Sequence, residues 1–252
     1  MALRACSLRS EARSTLDLAR QRLEQQRLSG APYARPEQVV EGLLAVQSQD
    51  YLGAKWALAQ RTVGGDDAAV QKAFQEGRFL RTHVLRPTWH FVAPRDIRWL
   101  LALTAPRVHA LNAYYYRKHG LDAASVKRSN ARIVKALSSG THLTREELGQ
   151  VLAVGKTALS GERLAYFIMR AELDALICSG AMRGKRHTYA LLEERVAPAE
   201  TLARDEALAR IARWYVIGHG PAQARDLAWW SGLSVATPGA ASKPTAASWN
   251  RP

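Results

Sequence analysis

The sequence has no uninterrupted apolar run of about 18 residues, which argues against a transmembrane helix. Its arginine-rich start lacks the apolar core of a signal peptide. The acidic residues Glu11 and Asp17 argue against a transit peptide, because transit peptides are poor in acidic residues. Cysteine is scarce, and Cys6 and Cys178 stand too far apart in the chain to indicate a disulfide framework or a zinc site. We therefore expect a cytoplasmic protein with no membrane, metal or cofactor.

Acidic residues are also few. The sequence contains 22 aspartates and glutamates against 36 lysines and arginines, which gives a formal charge of +14 and a pI near 10.3. So basic a balance favours a polyanionic partner such as nucleic acid or an anionic membrane. Together with the fold predicted below, it leads us to expect double-stranded DNA as the partner and association with the nucleoid. The alternative is a general arginine bias in an arginine- and alanine-rich proteome. The 252 residues suffice for one large domain or two to three small ones.

The apolar pattern predicts several short helices up to about residue 77 and then changes its period. Residues 79–92 are β-rich and have Arg86-Pro87 in the middle, which predicts a β-hairpin. Helices followed by a hairpin are typical of a winged helix-turn-helix.

The same order recurs from Ser129. We predict a helix over 130–138, a short helix with a Thr144–Glu147 capping box, a long helix from Ser160 closed by Gly180, and a basic hairpin over 182–191.

A third copy begins near Arg204 and shows two helices, after which the chain loses its apolar period. The predicted fold is mainly α with small β-hairpins (α+β), built from tandem winged helix-turn-helix units of which the third is incomplete. The predicted units are 14–120, 121–200 and 201–233, followed by a disordered tail over 234–252.

One short polar segment is a candidate catalytic site. A predicted helix ends at Val46, and Gln47, Ser48, Gln49 and Asp50 follow. Side chains two apart share a face in an extended segment but not in a helix. Two amides on one face can hold a water molecule or a polar substrate group, because each carries an acceptor and two donors. The alternative is a plain polar edge after a helix.

Several segments in this order resemble the AlkZ/YcaQ-like winged-helix DNA glycosylases, over roughly residues 14–233. They are Leu43-Leu44-Ala45-Val46-Gln47-Ser48-Gln49-Asp50, Trp56-Ala57-Leu58, residues 81–92, Asp96-Ile97-Arg98-Trp99-Leu100 and residues 225–233. Ser48 departs from the aliphatic or small residue that the family usually has between its glutamines. The chain also lacks the rest of a third winged helix and a C-terminal β-rich part, so we expect a C-terminally truncated member.

The resemblance implies a monofunctional DNA glycosylase that hydrolyses the N-glycosidic bond of N7-alkylated purines, including those in interstrand crosslinks. It assigns the placing of a water molecule to Gln47 and Gln49. For Asp50 we consider two roles, electrostatic support of the sugar cation and a local helix cap.

Six basic side chains are candidates for phosphate contacts, with solvated turns as the alternative: Arg81, Arg86, Arg183, Lys185, Arg186 and His187. We expect His83 and His90 to be strand residues whose rings are hydrogen-bonded within the protein, rather than catalytic groups. We expect a monomer. Two further hypotheses are a non-catalytic winged-helix regulator, which the mixed charges of the long 160–179 helix disfavour, and an inactive truncated remnant.

Overall fold

The computed structural model describes residues 15–155, 157–199 and 201–233. The described chain is mainly helical, with two small antiparallel sheets. Its elements are α1 (Thr15–Gln25), α2 (Pro36–Leu43), β1 (Ala45–Gln47), α3 (Tyr51–Ala59), α4 (Asp67–Gln75), β2 (Leu80–Val84), β3 (Thr88–Val92), α5 (Pro94–Leu111), α6 (Ala113–Lys118), α7 (Ala123–Leu137), β4 (Leu143–Thr144), α8 (Arg145–Val151), α9 (Gly161–Leu173), β5 (Ile177–Ser179), β6 (Thr188–Leu191), α10 (Leu192–Arg195), α11 (Arg204–His219) and α12 (Ala224–Ser231).

The first sheet closes a unit made of α2, β1, α3, α4, β2 and β3. Its strand order is β1-β3-β2, so the first strand pairs with the last strand of the predicted hairpin. Helix starts are set locally, since Asp50 and Asp66 accept the backbone N–H groups of Gly53 and Ala69. Phe74, Phe79 and Phe91 form the centre of the apolar core of this unit.

The second sheet repeats the arrangement. The order α7, β4, α8, α9, β5, β6 again gives a sheet in which the first strand pairs with the last, β4-β6-β5. Helix, strand, two helices and a hairpin are the parts of a winged helix-turn-helix. The tandem winged-helix fold predicted from the sequence is confirmed, while the residue limits of the units stay predictions.

The helices α11 and α12 follow the second unit and pack back on the first. A Cβ added at Gly218 of α11 would lie 3.0 Å from the Gly42 carbonyl oxygen, so the glycine allows α11 to approach α2 closely. The predicted tail over 234–252 lies outside the described residues. Within the described ranges, no helix is long and apolar enough to cross a membrane, and no group of three metal-ligating side chains was found.

Three predicted boundaries in the second unit are wrong. The hairpin predicted over 182–191 has its first strand at Ile177–Ser179 instead, with only the second strand inside the predicted range. The first helix of the unit begins at Ala123 rather than near 130, because the Asp122 carboxylate caps the N–H of Ser125. Its long helix ends at Leu173 rather than Gly180, and residues 177–179 form β5 instead. The apolar run there fits a buried strand as well as a helix, and pairing with β6 decides between them.

The two units join along β2 of the first and β5 and α9 of the second. The Ser179 hydroxyl accepts the backbone N–H of Arg81 at 2.8 Å. Farther along β2, the Nδ1 atom of His83 lies 2.5 Å from Oε2 of Glu172, and both side chains are almost fully buried. The position of the first sheet therefore depends on the second unit.

Candidate active site

The glutamine segment starts at a sharp change of backbone direction. Helix α2 ends at Leu43, not at Val46 as predicted, and Leu44 adopts φ 67° and ψ −45°. A positive φ is uncommon for leucine and costs about 1–3 kcal/mol, so the surrounding packing must hold it. Leu44 is buried in the core, which supplies that packing. The turn sends the chain directly into β1.

Gln47 and Gln49 lie on an extended segment, as expected. Gln47 is the last residue of β1 and pairs with His90 of β3, and the Ser48 N–H then donates to the Trp89 carbonyl oxygen at 2.8 Å. Both glutamines are exposed while Ser48 between them is fully buried. The Gln49 side-chain oxygen lies 3.5 Å from the Trp89 N–H, and no described residue bonds the Gln47 amide. Two amides are thus presented to solvent from a rigid strand end.

Arg81 lies beneath this segment rather than on the surface. Its side chain donates from Nε at 3.1 Å and from Nη2 at 2.9 Å to the Ser48 carbonyl oxygen. The guanidinium carbon lies 4.3 Å from the centre of the Trp89 ring. Burial lowers the pKa of Arg81, and the nearby Glu172 charge partly opposes that shift. Arg81 is therefore unavailable as the phosphate contact predicted from the sequence.

Asp50 caps the helix that follows the glutamines. Its Oδ1 accepts the Gly53 N–H at 3.1 Å, which places the carboxylate at the start of α3. This geometry is that of the local cap considered above, and the side chain remains exposed beside Gln49.

The hairpin of the second unit reaches the same place. The His187 ring lies 4.5 Å from the ring of Tyr51, the first residue of α3, in an edge-to-face arrangement. Burial and then the Arg81 charge lower the pKa of His187 to about 4, so this histidine is neutral near pH 7. It therefore offers no positive charge to a phosphate. Burial also raises the pKa of Tyr51 to about 12, and its hydroxyl donates to Gln71 at 3.0 Å.

The tip of that hairpin is basic and lies in solvent. Arg183 bonds Oε1 of Glu147 at 2.6 Å and the His142 carbonyl oxygen at 2.7 Å, so its guanidinium is largely committed. Lys185 and Arg186 are exposed, and their side chains bond no residue that the structure describes. Two cations without a described partner therefore lie at the tip of this hairpin, next to His187, which packs on Tyr51 at the start of α3.

Comparison with known proteins decides the family. A family model described as DNA glycosylase AlkZ-like matches residues 40–248. The chain belongs to this AlkZ-like family. An interstrand DNA cross-link repair glycosylase of Streptomyces sahachiroi is 25% identical over 235 residues, which are 90% of this chain and 62% of that protein. The solved structure of Streptomyces sahachiroi DNA glycosylase AlkZ has the same fold, with a TM-score of 0.68 at 23% identity over 84% of this chain and 62% of that one. The chain thus spans less than two thirds of either relative.

In this AlkZ-like chain, Arg86 is the last of the side chains predicted to contact phosphate, and it contacts a tryptophan. Arg86 is at the turn of the first hairpin, half-buried, with its guanidinium carbon 4.7 Å from the ring centre of Trp229 on α12. The Nε atom is buried and has no hydrogen-bond partner among the described residues. Trp229 of α12 thus lies against a half-buried charge that was predicted from the sequence to contact phosphate.

Sequence reasoning missed three groups around the glutamines: Tyr51, Trp89 and Glu172. The first two are aromatic residues next to the motif or across the sheet from it, which is a usable signal. Glu172 is fully buried and bonded to His83, but it comes from a helix with mixed charges, and no local pattern distinguishes it. His83 and His90 are satisfied strand histidines in the structure, since His90 Nδ1 lies 3.0 Å from the Thr88 carbonyl oxygen.

Proposed function

We propose that this chain is a monofunctional DNA glycosylase that hydrolyses the bond between the sugar and an N7-alkylated purine in duplex DNA. The observation that carries the proposal is the pair of exposed amides, Gln47 and Gln49, held on either side of buried Ser48. Family membership supports it, as does the second-unit hairpin, whose His187 packs on Tyr51 next to the glutamine segment.

The chemistry suits amides. An N7-alkylated purine is already cationic, so it leaves without being protonated by the enzyme. A general base contributes about 10²–10⁴-fold where a reaction needs one, and this leaving group reduces that need. Gln47 and Gln49 hold the attacking water by hydrogen bonds, which is an effect of proximity and orientation. Asp50 caps α3 and adds negative potential beside the developing sugar cation.

Phosphate contacts position the duplex without reading its sequence. Lys185 and Arg186 are the cations we assign to this role, with Arg183 contributing through its partly exposed side chain. An enzyme acting on a base in a duplex usually turns the nucleotide out of the stack. The formal charge of +14 supports association with DNA. We extend the proposal to N7-linked purines of interstrand crosslinks, because the relative's name concerns their repair.

The test is release of N7-methylguanine from duplex DNA, assayed in parallel with release from a crosslinked duplex. We expect Gln47→Ala and Gln49→Ala each to lower the single-turnover rate at least tenfold. Gln60→Ala, which truncates an exposed glutamine at the end of α3, is the matched control and should not change the rate. No release by the unaltered chain would refute the enzymatic function, and full activity of both site variants would refute the site.

Binding is tested separately. Removing one cation that pairs with a phosphate reduces the slope of log affinity against log salt by about 0.9. We expect Lys185→Ala and Arg186→Ala each to flatten that slope by about this amount, while Lys135→Ala, an exposed lysine on α7, leaves it unchanged. Tight, salt-dependent binding without base release would favour the non-catalytic DNA-binding function.

A further inference from the structure

Both peptide groups that flank Ser48 are held from outside the segment. The peptide before Ser48 is fixed through its N–H, which donates to the Trp89 carbonyl oxygen at 2.8 Å. The peptide after Ser48 is fixed through its carbonyl oxygen, which accepts both Arg81 donors at 3.1 and 2.9 Å. Peptide groups are planar, so these contacts set the directions in which the chain leaves toward Gln47 and Gln49.

The arginine is itself firmly held. Arg81 is 9% exposed, and its guanidinium carbon lies 4.3 Å from the centre of the Trp89 ring and 5.9 Å from that of Tyr51. Its backbone N–H bonds the Ser179 hydroxyl at 2.8 Å, so the second unit fixes this point of β2. Burying a guanidinium is costly unless it is paired and hydrogen-bonded, and an aliphatic side chain would fill the same space without that cost.

We propose that Arg81 is a positioning residue that acts through the Ser48 carbonyl to orient both glutamines. This inference rests on the proposed function, since it assigns Arg81 a task in water placement at the same site. Arg81 touches neither DNA nor the reacting atoms. The fork of the guanidinium matters, because two donors on one oxygen fix the direction of the carbonyl, whereas a lysine ammonium supplies a point charge.

The test separates orientation from DNA binding. Variants Arg81→Met and Arg81→Lys are compared with Arg78→Met, which removes an exposed arginine that pairs with Glu76. A misplacement of about 1 Å costs roughly 10²-fold in rate. We expect single-turnover base release to fall at least tenfold in both Arg81 variants, with duplex affinity and its salt dependence unchanged. Arg78→Met should match the unaltered chain. Methylguanidinium at millimolar concentration should restore part of the rate to Arg81→Ala.

Weaker, less salt-dependent binding with a normal rate at saturation would show that Arg81 contacts phosphate, and this would overturn the proposal. Hydrogen exchange gives a readout that does not need activity. In Arg81→Met, a peptide covering residues 45–50 should exchange its protected Ser48 amide at least tenfold faster, while peptides from α7 remain unchanged. Unchanged exchange at Ser48 overturns the positioning role even if the chain releases no base, whereas faster exchange without release refutes only the proposed function.

Discussion

Replacing His83 by leucine should destabilise the protein far more than a typical strand substitution. His83 is 4% exposed and Glu172 is fully buried, with 2.5 Å between Nδ1 and Oε2. The other carboxylate oxygen, Oε1, is buried without a partner among the described residues. His83→Leu therefore leaves a buried carboxylate with no hydrogen bond at either oxygen. Removing one partner of a buried pair costs about 3–5 kcal/mol, and we expect a loss in that range.

The double variant provides the decisive comparison. Replacing both partners of a buried polar pair by apolar groups is often nearly neutral. Glu172→Leu alone leaves a buried imidazole unpaired, which costs about 1–3 kcal/mol. His83→Leu with Glu172→Leu should therefore cost less than His83→Leu alone. The resulting coupling free energy should exceed about 2 kcal/mol, a value typical of groups in direct contact.

Urea unfolding at pH 7.5 measures these free energies. Fluorescence follows all seven tryptophans, which include Trp89 with its ring centre 4.3 Å from that of His83, and circular dichroism reports on the helices of both units. The two signals should coincide in each variant, which is the condition for taking one free energy of unfolding from each curve. A single substitution costing less than about 1 kcal/mol, or costs that simply add in the double variant, would show that the pair does not join the units as described.

Three further results are expected. The Ser48 hydroxyl is buried without a partner among the described residues, so Ser48→Ala should raise the urea unfolding free energy by about 1 kcal/mol, and no gain would contradict this view. Burial lowers the pKa of His90 from 6.5 to about 4, so the unfolded chain binds the proton first and stability falls as pH drops from 6.5 to 4. That loss amounts to about 3 kcal/mol, and His90→Leu should flatten this part of the stability–pH curve, whereas parallel curves would contradict the assignment. Gly149→Ala in α8 should lower the melting temperature, because the new Cβ would clash with the Leu159 carbonyl oxygen. Alanine has the better helix propensity, so a higher melting temperature would show that the backbone at Leu159 moves to relieve the clash.

Local patterns predicted the features whose energy is local. The Thr144–Glu147 capping box forms as expected, with the Thr144 N–H donating to the Glu147 carboxylate at 2.7 Å. The first hairpin and the extended form of the Gln47-Ser48-Gln49 segment also agree with the sequence pattern. In each case a few neighbouring residues are enough to determine the outcome.

Elements that depend on distant partners were harder to predict. The short strand β4 has little pattern of its own and is defined by pairing with β6. The end of α9 was placed too late because its apolar run continues into β5, and only the opposing strand distinguishes the two states. Likewise, α2 ends early because core packing holds Leu44 in an unfavourable conformation.

The sequence by itself determined the winged-helix order, the basic character of the chain and the presence of two glutamines around one residue. Only the tertiary structure decided what the charges do. The second unit fixes the backbone of Arg81, whose buried side chain bonds Ser48, while burial beside Tyr51 keeps His187 neutral. A residue type specifies a charge, but the solvent and partners around it decide whether that charge faces DNA or holds a strand in place.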